Sequence, residues 1–200
     1  MLAALPAACS SPAQDLQPRA DGVGPLTLGA NLEKSAVQAR RFDPGALPVA
    51  PGCDGRDEFA MRIRPLDATV MAMADAEGQI EEIVVQPGSG PGLRTADGDA
   101  CFRQAEAFAS KFSNELGHHA TGNQAQKATT IEHTLSFAGG QRVQARWFRG
   151  GGNCDFALYI TAARADHTRA TEYVSSLQKQ DRPISLRCRP VSRFGCGGRI

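Results

Sequence analysis

Between residues 128 and 162 apolar and polar side chains alternate with a period of two, and glycines interrupt the pattern twice. Ile131, Leu135 and Phe137 share one face of a first strand. Val143, Ala145 and Trp147 share one face of a second, after the Gly139-Gly140 turn. Cys154, Phe156, Leu158 and Ile160 do the same for a third, after Gly150-Gly151-Gly152. Such alternation sets one side of each strand against a core while the glycines supply the turns, so this stretch predicts a three-stranded antiparallel meander. A less regular set lies upstream. Phe59, Met61 and Ile63 alternate with Ala60, Arg62 and Arg64 up to Pro65; residues 68–74 read as a second strand and residues 79–86 as a third.

Helical spacing appears in three places. Leu32, Ala36, Ala39 and Phe42 form one stripe, with Asn31 placed to cap it and Pro44 to stop it. Phe102, Ala105, Ala109, Phe112 and Leu116 form the clearest stripe, predicting a helix over 100–116 with Asp99 as N-cap and Gly117 as the residue that ends it. Residues 166–180 carry a third, with Ala170, Tyr173, Val174 and Leu177 on the inward side. The expected fold class is therefore α+β: two helix-plus-three-strand antiparallel units packed together, with a C-terminal helix. Pro87-Gly-Ser-Gly-Pro-Gly92 marks the internal boundary. The expected organisation is a leader remnant and tether over 1–23, a first unit over 24–92, a second over 93–180, and a basic flexible tail over 181–200.

Charge and cysteine content change this picture more than bulk composition does. The chain of 200 residues is 42% hydrophobic and 22% charged, ordinary for a globular protein. A net charge of +1 argues against a dedicated nucleic-acid binder. Residues 181–200 nevertheless hold five arginines against one aspartate. That tail could touch anionic lipid phosphates. No apolar run approaches the roughly 18 residues needed to span a membrane. The six cysteines, Cys9, Cys53, Cys101, Cys154, Cys188 and Cys196, are scattered with no close pair, which suits disulfides in an oxidising compartment. Cys101 opens a helix and Cys154 opens a strand at an inward position, so a bridge between them would pin helix to sheet; two separate buried thiols are the rival reading. Cys53 would pair with Cys188 or Cys196, or the last two with each other.

Candidate chemistry is sparse. Cys154, His167, Cys188 and Cys196 lack the paired spacing of a structural zinc site. His118-His119 follows a helix C-terminus, where a cation suits the dipole. His133 is in phase with the core side of its strand, whereas Glu132 points the other way. A hydrolase assembled from distant residues such as His133, Asp155 and His167 would need the His133 and His167 side chains to converge in one pocket. No cofactor is expected. The outer face of the second and third meander strands, with Arg142, Arg146, Phe148 and Tyr159, is the candidate partner surface.

Residues 1–9, Met-Leu-Ala-Ala-Leu-Pro-Ala-Ala-Cys, resemble the end of a bacterial lipoprotein signal peptide. The resemblance implies lipid attachment at Cys9. Gly24-Pro-Leu-Thr-Leu-Gly29 before a short helix resembles uncharacterised bacterial envelope lipoproteins, and is similar to the small lipoprotein of the outer-membrane β-barrel assembly machine. Together these features lead to the expectation of a non-enzymatic envelope protein in the periplasm, held at the outer membrane if Cys9 is lipidated. It would act by binding a protein or envelope component. An inhibitor or immunity-type lipoprotein, working through the loops around Cys53 and Gly88, is the alternative.

Overall fold

The computed structural model describes residues 16–52, 54–88 and 93–162. Near the N-terminus β1 (Pro18–Arg19), β2 (Gly22–Val23) and β3 (Leu26–Thr27) form a small three-stranded sheet, followed by helix α1 (Leu32–Ala39). Then come β4 (Ala50–Pro51), β5 (Asp57–Ile63), β6 (Ala68–Ala74) and β7 (Ile80–Pro87). The second half contains β8 (Leu93–Arg94), helices α2 (Gly98–Ser110) and α3 (Ser113–Leu116), and β9 (Ala120–Gln126). It closes with the meander β10 (Thr130–Ser136), β11 (Arg142–Phe148) and β12 (Asn153–Thr161).

Strands β4 to β12 make one nine-stranded antiparallel sheet in the order β4-β5-β6-β7-β12-β11-β10-β9, with β8 added beside β12. The order is symmetric. Each half supplies four successive strands, and the last of each meets at the centre, where Val85 pairs with Leu158 and Ile83 with Ile160. This corrects the expected α+β pair of packed units: the two sets of strands are joined edge to edge, and among the described residues strand (44%) outweighs helix (21%). The physical reason lies in Ile83-Val84-Val85 and Ala157-Leu158, where apolar residues occupy both faces, as suits strands in the middle of a sheet. The expected C-terminal helix over 166–180 lies outside the described residues, as does the basic tail over 181–200.

Helices and small sheet cover one side of the large sheet only. Leu32, Ala36 and Ala39 of α1 and Cys101, Phe102, Ala105, Phe108 and Ala109 of α2 join Phe59, Met61, Ile63, Leu135, Val143, Leu158 and Ile160 in a single core. Each fully buried leucine, isoleucine or phenylalanine contributes about 1.5–3 kcal/mol, so this layer carries the stability of the fold. Asn31 caps α1 as expected, its Oδ1 accepting from the Lys34 amide at 3.1 Å. Helix α2 starts two residues earlier than its stripe suggests, because Asp97 Oδ1 accepts from the Ala100 amide at 2.7 Å. The long helix expected over 100–116 is broken at Lys111–Phe112. Phe112 leaves helical geometry (φ −104°, ψ 5°) and meets Phe108 edge-on at 5.0 Å. Residues 16–23 are not tether: Leu16 and Val23 are buried in the core.

Candidate functional site

The side of the large sheet opposite the helices is covered by no described element. Alternation assigns it Glu58 and Ala60 of β5, Thr69, Met71 and Met73 of β6, and Glu82 and Val84 of β7. Across the centre it continues with Asp155, Ala157 and Tyr159 of β12, and Arg142, Gln144, Arg146 and Phe148 of β11. All four residues of the expected partner surface, Arg142, Arg146, Phe148 and Tyr159, stand on this open face. Met73, Val84 and Ala157, with Tyr159 packed against them, form a second apolar cluster here, separate from the main core.

A trough of about 300 Å³ lies over the second half of the face, lined among others by Gln86, Glu132, Gln144, Arg146, Asp155 and Tyr159. Its charges are organised. Glu132 accepts from Lys127 Nζ at 2.9 Å and from Arg146 Nε at 3.1 Å. The hydrogen bond from Lys127, reinforced by the charges of Lys127 and Arg146, holds its carboxyl below the ordinary carboxylate range despite some burial. The Arg142 guanidinium sits 5.6 Å from the centre of the Tyr159 ring, a cation–π arrangement. Burial, with the nearby Glu82 carboxylate, pushes the Tyr159 phenol up, so it stays protonated and able to donate a hydrogen bond at neutral pH.

The first half of the face is acidic and is centred on Arg56. Its guanidinium donates to Asp54 at 2.6 Å, Glu81 at 3.1 Å and Glu82 at 3.0 Å, and its Nη2 lies 3.5 Å from Met73 Sδ. Glu81 and Glu82 are neighbours and would point to opposite sides of a regular strand. They reach one guanidinium because the register between β6 and β7 shifts between Met73 and Ala74, a bulge that re-aims side chains. Burial pulls the Arg56 pKa down, but the surrounding carboxylates raise it overall. Glu58, half-buried and close to Asp54, has its carboxyl pushed up by burial and by that charge, against the pull of Arg56. No feature of the sequence marked Arg56, since its partners converge only through the bulge.

Cys101 and Cys154 are joined in a disulfide with their Cα atoms 5.5 Å apart. It lies in the core, at 0% and 1% exposure, and fastens the first turn of α2 to β12. Cys154 is thereby unavailable as a metal ligand. Among the described residues no group of three or more His, Cys, Asp or Glu side chains could hold a metal ion. Cys9, Cys53, Cys188, Cys196 and His167 lie outside the described residues, and with them the lipid-attachment and remaining disulfide expectations. His133 is on the helix side of β10, stacked on Phe102 at 4.9 Å. Asp155 is on the open side of β12, and His167, with which His133 would have to converge, lies outside the described residues. No described helix is long and apolar enough to cross a membrane. Comparison with family models, with curated proteins and with solved structures finds no match.

Proposed function

We propose that this protein is a non-enzymatic binding module of the bacterial envelope, exported and held there through Cys9, which engages a protein partner with its open sheet face. The observation that carries the reading is the one-sided architecture. Helices and small sheet are packed on one side, and the opposite face, which no described element covers, carries charges of both signs around a small buried apolar cluster. Such surfaces suit protein partners, because paired charges of both signs orient an incoming partner and reject wrong ones. The buried disulfide is consistent with an oxidising compartment.

The test compares full chains carrying Gln144→Lys with Arg146→Glu, both on the open face, against a control carrying Val37→Glu on the helix side. Partners retained from envelope extract by wild type and control should be lost from the open-face variant. The binder is then purified, and its affinity should fall at least tenfold for the same variant. Equal retention by all three chains would defeat the proposal. Export is checked separately, by the mass of natively produced protein under non-reducing conditions.

A further inference from the structure

We infer that the acidic half of the open face is the docking site for the chain's own segment 163–200. The inference rests on the reading of that face as a docking surface and names its resident occupant. Three observations converge. The first is where the described chain ends. The Ala162 amide donates to the Glu81 carbonyl at 3.0 Å, so the described chain ends beside the Arg56 cluster. The second is charge. Asp54, Glu58, Glu81 and Glu82 surround the Arg56 guanidinium, four carboxylates to one cation. Segment 163–200 carries eight arginines and lysines against three acidic residues, whereas the chain as a whole is nearly neutral at +1. Residues 1–162 therefore carry a net charge of −4, and the excess of positive charge lies entirely in the segment that starts at the acidic end of the face.

The third is reach. From β12 to β5 the sheet spans three strand spacings, about 14 Å. Arg164 and Arg169 follow Ala162 by two and seven residues, and seven extended residues span at most about 25 Å. The first cations of the segment thus reach every carboxylate of the cluster. A tethered segment competes at an effective concentration on the order of mM, so modest individual contacts suffice to keep it in place. An incoming partner must displace it, which makes the segment a built-in competitor whose hold weakens as salt rises.

The experiment uses full-length protein with the photo-cross-linking residue p-benzoylphenylalanine at Met71, on the open face of β6, or at Val37, on the helix side. Equal amounts of isotopically light and heavy chain are mixed before irradiation. From Met71 the cross-linked peptides should fall within 163–200 of the same molecule. The yield should drop about fivefold or more at 0.5 M salt, and in a chain with Arg164, Arg169, Arg182 and Arg187 all changed to Glu. From Val37 the segment should be captured little or not at all. Mixed light–heavy products would replace this occupant with a second copy of the chain. Absence of the segment among the products, equal capture from both positions, or a yield indifferent to salt and charge reversal would each overturn the inference. Partner capture is a separate readout, so the segment's failure to dock leaves the proposed function standing or falling by itself.

Discussion

Removing the Cys101–Cys154 bridge isolates the contribution of one cross-link, because its two sulfurs stay in the core when the bond is merely reduced. The bridged residues are separated by 53 positions. Closing a loop of that size lowers the entropy of the unfolded chain by an amount worth about 4 kcal/mol at 25 °C in the chain-entropy treatment. For a chain of this length a loss of that size lowers the melting temperature by roughly 8–16 °C. Three samples are compared by urea unfolding, all with Cys9, Cys53, Cys188 and Cys196 changed to Ser so that no other bridge can contribute: oxidised protein, protein reduced and kept reduced, and Cys101→Ala/Cys154→Ala. The reduced sample should lose about 4 kcal/mol. Its dependence on urea should steepen, because an uncross-linked unfolded chain exposes more surface. The double alanine variant should lose a further 1–2 kcal/mol, since both sulfurs are buried and their removal leaves a gap. A reduced sample within 1 kcal/mol of the oxidised one, with reduction verified by mass, would refute the reasoning and show that packing alone holds α2 to the sheet.

Other perturbations test other parts of the structure. Gln141 is buried and donates to the Ala20 carbonyl at 2.7 Å, tying the β10–β11 hairpin to the small sheet; Gln141→Ala should cost about 1–3 kcal/mol and speed tryptic cleavage after Arg19. An unchanged cleavage rate would mean the small sheet is held by its apolar residues alone. Neither ring nitrogen of buried His133 has a partner among the described residues, so His133→Leu should raise stability by about 1 kcal/mol in thermal melts; a loss would reveal a hydrogen bond formed in solution. Glu58 has a raised carboxyl pKa, so its ionisation opposes folding. Glu58→Gln should therefore be stabilising at pH 7, with the gain disappearing as pH falls through the ordinary value of 4.5. Glu132 has the opposite sign. Its favourable pairing is present above 4.5 and lost as pH falls through its lowered pKa, so Glu132→Gln should be destabilising at pH 7 and neutral at low pH in the same titration.

What the sequence made legible was whatever repeats locally. The β10–β12 meander, strands β5 to β7 and the cap at Asn31 are written in spacings of two to four residues, and those elements are present. The Cys101–Cys154 link was readable because both residues sat on inward positions of recognisable elements. Strand β9, Ala-Thr-Gly-Asn-Gln-Ala-Gln, has no apolar face to alternate; it is an edge strand held by backbone pairing with β10. Strands β1 to β3, of two residues each, are too short for any period to show. The joining of the halves leaves little local pattern, because its pairs lie more than seventy residues apart. Its trace was the unbroken Ile83-Val84-Val85 run, which marks a strand buried on both sides. The open face was visible as the polar side of each strand. The Arg56 cluster was not, since it depends on a bulge.

The central seam sets the order in which the protein can be built. Pairs across β7 and β12 lie more than seventy residues apart in sequence, whereas every other long pairing of the large sheet joins successive strands. Local hairpins close quickly and distant pairings slowly, so each half can assemble its own meander before the halves meet. The disulfide lies wholly within the second half, and its oxidation need not wait for the first. Until the seam closes, β7 and β12 each present an apolar, unpaired edge. That interval is when the chain is most exposed to pairing with another copy of itself.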